Sequence, residues 1–215
     1  MEDQYNRAVS LLNGELYRHQ KEGVSWLISM ENLSKGPKGG FLCDEMGLGK
    51  SIQIISVILG NVKKNTLIVV PKSIVTQWKN EISKFAPSLS VFIYDGSDRT
   101  QDPDDLLKSD VVIAPYSLLT EKAMMLHRIR WGRLVLDEGH EIRNPSSSKF
   151  KAACKLHADL RWILSGTPVF NSMKDFVTLC TFIGVNRKLV QGMTTKVKNL
   201  YLLRRTKEDN PMLEI

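Results

Sequence analysis

From Phe41 almost to the end of the chain, short apolar runs alternate with segments of helical period, and this alternation dictates a parallel sheet with crossover helices. The predicted strands are Phe41–Cys43, Leu67–Val70, Val91–Tyr94, Val111–Ala114, Leu134–Leu136 and Trp162–Leu164. Several are apolar without interruption, as strands covered on both faces must be. Between them Ile52, Ile55, Leu59 and Val62 recur at three- and four-residue steps, as do Ile74, Trp78, Ile82 and Phe85, which predicts two amphipathic helices. Two more are expected from about Ser147 to Leu156 and from Lys174 to Ile183, the latter closed by Gly184. The first forty residues read as a helical lead-in, with Val24, Leu27 and Ile28 on one face, running out into the Gly/Pro loop Ser34–Gly40. Asp95–Asp105 reads as the other clear loop. With 215 residues, no internal repeat and no linker-like tract, one α/β domain over residues 1–215 is expected, a mostly parallel central sheet with helices on both faces.

Composition narrows the class of protein. A chain 42% hydrophobic and 25% charged is neither a disordered tail nor a fibre. Apolar runs such as Leu67–Pro71 fall far short of the roughly 20 residues needed to cross a bilayer, so no membrane partner is expected. Met1–Gln4 carries neither a basic start nor an apolar core of a secretion signal, so an intracellular home is expected. Three widely spaced cysteines, Cys43, Cys154 and Cys180, each in an apolar segment, are expected to be reduced core thiols without disulfides. A net charge of +7 favours a polyanionic partner or, equally, a solvated basic surface.

Chemistry concentrates in a few strings. Asp44-Glu45-Met46-Gly47-Leu48-Gly49-Lys50-Ser51 lies between a predicted strand and a predicted helix, where a phosphate-binding loop belongs. Glycines let the backbone curl so that N–H groups face a polyphosphate; Lys50 reaches its outer phosphates and Ser51 offers a hydroxyl to Mg²⁺. The general pattern asks for Gly where Asp44 stands. Asp137-Glu138-Gly139-His140 directly follows the run Leu134–Leu136. At a strand end, Asp137 is placed to hold Mg²⁺ and Glu138 to activate water, so Lys50, Asp137 and Glu138 form the expected catalytic set. Upstream, the Gln20 amide is suited to the N6/N7 edge of adenine. Ser165-Gly166-Thr167-Pro168 closes another strand, where hydroxyls can sense the outermost phosphate. His19, His127 and His157 lack metal-ligand spacing and read as surface or packing residues.

In order and content these strings resemble the motifs of the superfamily 2 helicase-like ATPases and, within them, the SNF2 family of double-stranded DNA translocases. Leu16–Gly23 resembles the adenine-recognising Q motif, and Asp44–Ser51 resembles motif I, where Asp in place of the first Gly is usual. Leu67–Pro71 with Trp78 and Glu81 is similar to motif Ia, Asp137–Pro145 to motif II, Leu164–Pro168 to motif III, and Leu203–Glu208 to the segment ending the first RecA-like lobe. The Asp-Glu-Gly-His box followed by Ile142-Arg143-Asn144-Pro145 leans towards the helicase-like transcription factor and transcription-termination branches, or a viral relative.

The resemblance implies a RecA-like P-loop NTPase lobe that binds ATP and Mg²⁺ and, joined to a second lobe, hydrolyses ATP coupled to double-stranded DNA in remodelling, repair or transcription. It implies that Gln20 and residues 44–51 hold ATP, that Ser51 and Asp137 hold the metal, and that His140, Ser165 and Thr167 couple the motifs. It also implies that Lys72, Ser73, Tyr116 and Ser117 face the DNA backbone, and that the protein works in the nucleus or a viral factory. A single lobe should hydrolyse ATP poorly, because arginines of the second lobe are wanted at the outer phosphate. A non-catalytic binding module and a strand-separating helicase are the competing readings. From Asn186 onward seven basic residues face three acids, a stretch that either lies along DNA or forms a solvated strap.

Overall fold

The computed structural model describes residues 1–97, 100, 102–120, 124–166 and 171–209. The lead-in is two helices, α1 (Glu2–Leu11) and α2 (Arg18–Glu31), followed by β1 (Gly39–Leu42), α3 (Lys50–Gly60), β2 (Thr66–Val70), α4 (Val75–Phe85) and β3 (Val91–Ile93). Next come α5 (Pro103–Leu107), β4 (Val111–Pro115), α6 (Met124–Arg128), β5 (Arg130–Trp131), β6 (Arg133–Leu136) and α7 (Ser148–Lys155). The chain closes through β7 (His157–Ala158), β8 (Arg161–Leu164), α8 (Met173–Phe182), α9 (Arg187–Gly192), α10 (Thr194–Tyr201) and β9 (Leu202–Leu203).

Seven strands form one sheet in the order β3-β4-β2-β6-β8-β1-β9. Every pair in it is parallel. β5 and β7 make a separate short parallel pair. All residues of β1, β2, β4 and β6 are buried, which is why their sequences show no polar alternation. The expected helix ends hold as well: Gly184 takes a left-handed φ of 93° just past α8, and its N–H returns to the Thr181 carbonyl at 3.0 Å.

Beneath the sheet lies a charged pair with almost no exposure. Arg133 Nε and Nη2 each donate to a Glu31 oxygen at 2.6 Å. Glu31 also accepts from Trp162 Nε1 at 2.9 Å and Asn61 Nδ2 at 2.6 Å, while Arg133 reaches Thr66 Oγ1 and the Asn61 carbonyl. A buried pair is tolerable only when its remaining hydrogen-bond capacity is met in this way.

Three expectations are corrected. The loop Asp95–Asp105 carries the start of α5, because Asp102 caps it through a 3.0 Å bond from Asp104 N and Pro103 sits in its first turn. Over residues 186–209 the basic C-terminal stretch is a folded part of the domain, with Asn186 capping α9 at 2.9 Å and β9 pairing with β1. Cys43 and Cys180 are buried and their thiols are pushed up to about 12 by that burial, whereas Cys154 lies on the exposed side of α7. His19 is one of the packing residues expected: it is buried, its Nε2 3.0 Å from the Leu48 carbonyl. Among the described residues no helix is long and apolar enough to cross a membrane.

Candidate active site

The segment 44–51 leaves β1 and enters α3 at Lys50. Gly49 makes the turn with φ of 76°, and a Cβ there would lie 2.4 Å from Gln20 Nε2, so only glycine fits. No side chain caps α3, which leaves the first-turn N–H groups of an eleven-residue helix facing the loop. Lys50 Nζ is held by the Asp44 carbonyl at 2.9 Å, and its ammonium lies against Gly166, 3.3 Å from where a Cβ would be.

Two strands away in the sheet, β6 ends and Asp137 continues its ladder with a 2.9 Å bond to the Val69 carbonyl. Its Oδ2 accepts from Trp78 Nε1 at 2.8 Å and its Oδ1 from the Glu138 N–H at 2.9 Å. Burial pushes the Asp137 carboxyl above the ordinary carboxylate range; the Trp78 and Glu138 hydrogen bonds and the Lys50 charge oppose that shift, and the Glu138 charge adds to it. Glu138 occupies the left-handed region at φ 52°, a conformation that costs a residue with a side chain of order 1–3 kcal/mol. His140 Nδ1 stands 3.3 Å from Glu138 Oε2, without the alignment of a hydrogen bond.

Lys50, Ser51, Asp137, Glu138 and Gln20 all border one cavity of about 930 Å³. Met46, Gly47 and Gly49 border it too, whereas Asp44 and Leu48 point inward and are buried. Asp44 is taken up by Arg205 and Gln53 and meets the site only through its carbonyl, which holds Lys50. Glu45 turns aside as well, its Oε2 accepting from the Lys207 N–H at 2.8 Å. Both ends of the Gln20 amide are engaged, Oε1 by the Tyr17 N–H at 2.9 Å and Nε2 by the Leu48 carbonyl at 3.3 Å, so Gln20 ties α2 to the loop as well as facing the cavity. The Ser51 hydroxyl donates to Glu81.

Ser165 is buried at the end of β8, its N–H on the Leu42 carbonyl at 3.2 Å, between the loop and the acid pair; Thr167 lies outside the described residues. The register Val70↔Pro115 sets the segments after β2 and β4 side by side. Lys72, Ser73 and Ser117 are exposed there, with Lys72 3.6 Å from Asp95. Tyr116 departs from the expected DNA-facing position: it is buried, and its hydroxyl donates to the Asp137 carbonyl at 2.8 Å. Burial, then the carboxylates of Asp137, Glu141 and Glu138, raises that hydroxyl's pKa well above its usual value. The Tyr116 hydroxyl thus braces the strand end that carries Asp137.

Three participants were not singled out as site residues from sequence. Trp78 and Glu81 stand one turn apart on the inner side of α4, a spacing that marks them as neighbours once α4 is placed beside α3. Tyr17, 61% exposed, lies at the cavity's edge with its ring stacked on His19 at 6.0 Å.

A glycine loop opening an uncapped helix, with an acid pair closing a nearby parallel strand and a third strand end between them, defines a P-loop nucleotide-binding lobe of the RecA type. The family model described as the SNF2-related domain matches residues 19–194, and the chain belongs to that family. Helicase SWR1 of Candida albicans is 36% identical over 201 residues, covering 89% of this chain and 12% of that protein. DNA excision repair protein ERCC-6-like of Danio rerio is 34% identical over 219 residues, covering 94% of this chain and 15% of its own length. The chain thus spans about a seventh or less of these relatives. A solved Sulfolobus solfataricus SWI2/SNF2 ATPase core in complex with dsDNA superposes with a TM-score of 0.81 at 28% identity, over 95% of this chain and 47% of the other.

Proposed function

We propose that this chain is the ATP-binding lobe of a DNA-stimulated ATP hydrolase that moves along duplex DNA together with a second RecA-like lobe. The observation that carries the reading is the meeting of Lys50 and Ser51 with Asp137 and Glu138 around one cavity. Lys50 leaves the Asp44 carbonyl for the outer phosphates, while the first-turn N–H groups of α3, which no side chain caps, take the oxygens between. Glu138, held in its left-handed turn, is the base that orients the attacking water and accepts its proton.

The donor set fits Mg²⁺. Ser51, Asp137 and Glu81 offer hard oxygen ligands. Such an ion would be held through one or two of these carboxylates and the substrate's phosphates. When bound, the ion neutralises charge on the phosphoryl group being transferred. Lys72, Ser73 and Ser117 form the surface proposed for the DNA backbone, supported by their common edge and by the duplex-bound structural relative. The names of the relatives, a helicase and an excision repair protein, support work on chromosomal DNA and hence a nuclear location.

ATP turnover with and without duplex DNA, measured on a two-lobe protein carrying this chain beside Lys50→Ala and Glu138→Gln, tests the reading. Duplex-stimulated turnover that falls at least about 100-fold in each variant supports it; unchanged turnover in both rejects it.

A further inference from the structure

The C-terminal segment does more than close the sheet. Its pairing with β1 runs on into the phosphate loop: Cys43 N–H binds the Leu203 carbonyl at 2.7 Å, and Glu45 N–H binds the Arg205 carbonyl at 2.9 Å. Where the two segments meet, Arg205 turns its side chain inward, 13% exposed, onto Asp44, which has no exposure at all. Arg205 N–H and Nε donate to Asp44 Oδ1 at 3.1 and 3.0 Å, and Nη2 donates to Oδ2. The same guanidinium reaches Gln53 Oε1 on α3 at 2.8 Å and the His19 carbonyl on α2. Gln53 Nε2 completes the carboxylate at 3.1 Å. Gly23 leaves the room this cluster needs, since a Cβ there would lie 1.9 Å from Gln53 Oε1 and 2.7 Å from Arg205 Nη2.

A buried carboxylate at the foot of a loop meant for a polyphosphate is electrostatically adverse unless a cation neutralises it. Arg205 is the cation placed to do so, and its planar fork suits the bidentate geometry that a lysine would not reproduce. We infer that Arg205 is a positioning residue of the nucleotide site: it cancels the Asp44 charge and clamps the phosphate loop to α2 and α3. The inference rests on the nucleotide reading above and extends it to a residue 161 positions along the chain from its partner. It also makes the point where the chain leaves the sheet part of the loop's support, so that strain on that segment reaches the phosphates.

The test is an equilibrium titration of the full 215-residue chain with a fluorescent ATP analogue and Mg²⁺. Wild type is compared with Arg205→Gln, Arg205→Lys, the double variant Asp44→Asn/Arg205→Gln, and Lys50→Ala. Arg205→Gln weakens binding about 10- to 100-fold, because a buried charge is left unpaired beside the triphosphate. Arg205→Lys falls between it and wild type. The double variant recovers most of the lost affinity, since the uncompensated charge is gone; the loss in Arg205→Gln persists well below its melting temperature, in protein that circular dichroism shows to be folded, which a purely structural arginine would not give. Wild-type affinity in Arg205→Gln, or a double variant as weak as the single one, overturns the inference. If Arg205→Gln does not fold, the double variant decides: near-wild-type binding supports the inference and failure to bind rejects it. Binding that is lost in Lys50→Ala but untouched in Arg205→Gln leaves the nucleotide site standing and removes only Arg205. A wild-type chain that binds no nucleotide removes both.

Discussion

The Trp78 indole N–H donates to Asp137 Oδ2 at 2.8 Å, joining α4 to the end of β6 across 59 positions of sequence. With the Glu138 N–H on the other oxygen, the carboxylate is held from both sides before any ligand arrives. Trp78→Phe removes one of these donors and leaves a buried oxygen without it. The variant is expected to lose about 1–3 kcal/mol of stability in chemical denaturation. Its affinity for Mg²⁺ and nucleotide together is expected to fall about tenfold in a binding titration, from the same loosened carboxylate.

The pH dependence of stability isolates Asp137 itself. Its carboxyl, raised by burial above the ordinary value of 3.8, binds a proton more readily in the folded than in the unfolded chain. Stability from this group therefore declines as pH rises from about 3.8 through the raised folded value, and is flat beyond it. Asp137→Asn lacks that decline. Thermal melts between mildly acidic and neutral pH should show the variant gaining on wild type as pH rises, while a gap that stays constant would mean the carboxyl is not perturbed.

The Glu31–Arg133 pair predicts an asymmetric response. Arg133→Leu strands a carboxylate with Trp162 and Asn61 still aimed at it, and should cost about 3–5 kcal/mol in urea denaturation. Replacing both charged residues by apolar ones of matching volume should cost much less. Equal losses would place the stability in packing volume instead.

Gly139 follows the left-handed Glu138, and a Cβ on it would lie 2.2 Å from Ile163 Cγ2. That methyl sits on a stiff β-branched side chain in β8, so the turn must move. Gly139→Ala is expected to destabilise the chain by about 1–3 kcal/mol. Because the displaced turn carries Glu138, turnover of a two-lobe protein should fall more than its nucleotide affinity, which kinetics and binding measured side by side will show.

Much of this architecture was legible in the sequence because it is written in local patterns. Continuous apolar runs marked β1, β2, β4, β6 and β8 within a residue or two, and the glycine loop and the acid pair announced themselves at strand ends. What stayed hidden depends on contacts between distant segments. β9 is two residues long and α9 only six, too short for a period, and the basic run around them masked a folded element. Arg205 reads as one more surface cation until β9 is laid beside β1 and its side chain meets Asp44. Tyr116 follows a strand end as surface residues do, yet its ring turns under Asp137. Cys154 sits among alanines on a helix whose other side is buried, and hydrophobicity alone did not tell the two sides apart.

If, as proposed, the phosphate loop and Asp137 grip one nucleotide with its metal, Trp78 is the built-in reporter of that grip. The chain has four tryptophans, and the indole N–H groups of Trp131 and Trp162 are committed to the Leu126 carbonyl and to Glu31, deep in the core. In a ¹H–¹⁵N spectrum titrated with Mg²⁺ and ATP, the Trp78 indole signal should shift with saturation while those of Trp131 and Trp162 stay in place, and the shift should vanish in Lys50→Ala. An indole at Trp78 that does not respond to saturating nucleotide, or that responds equally well without Lys50, would contradict the account.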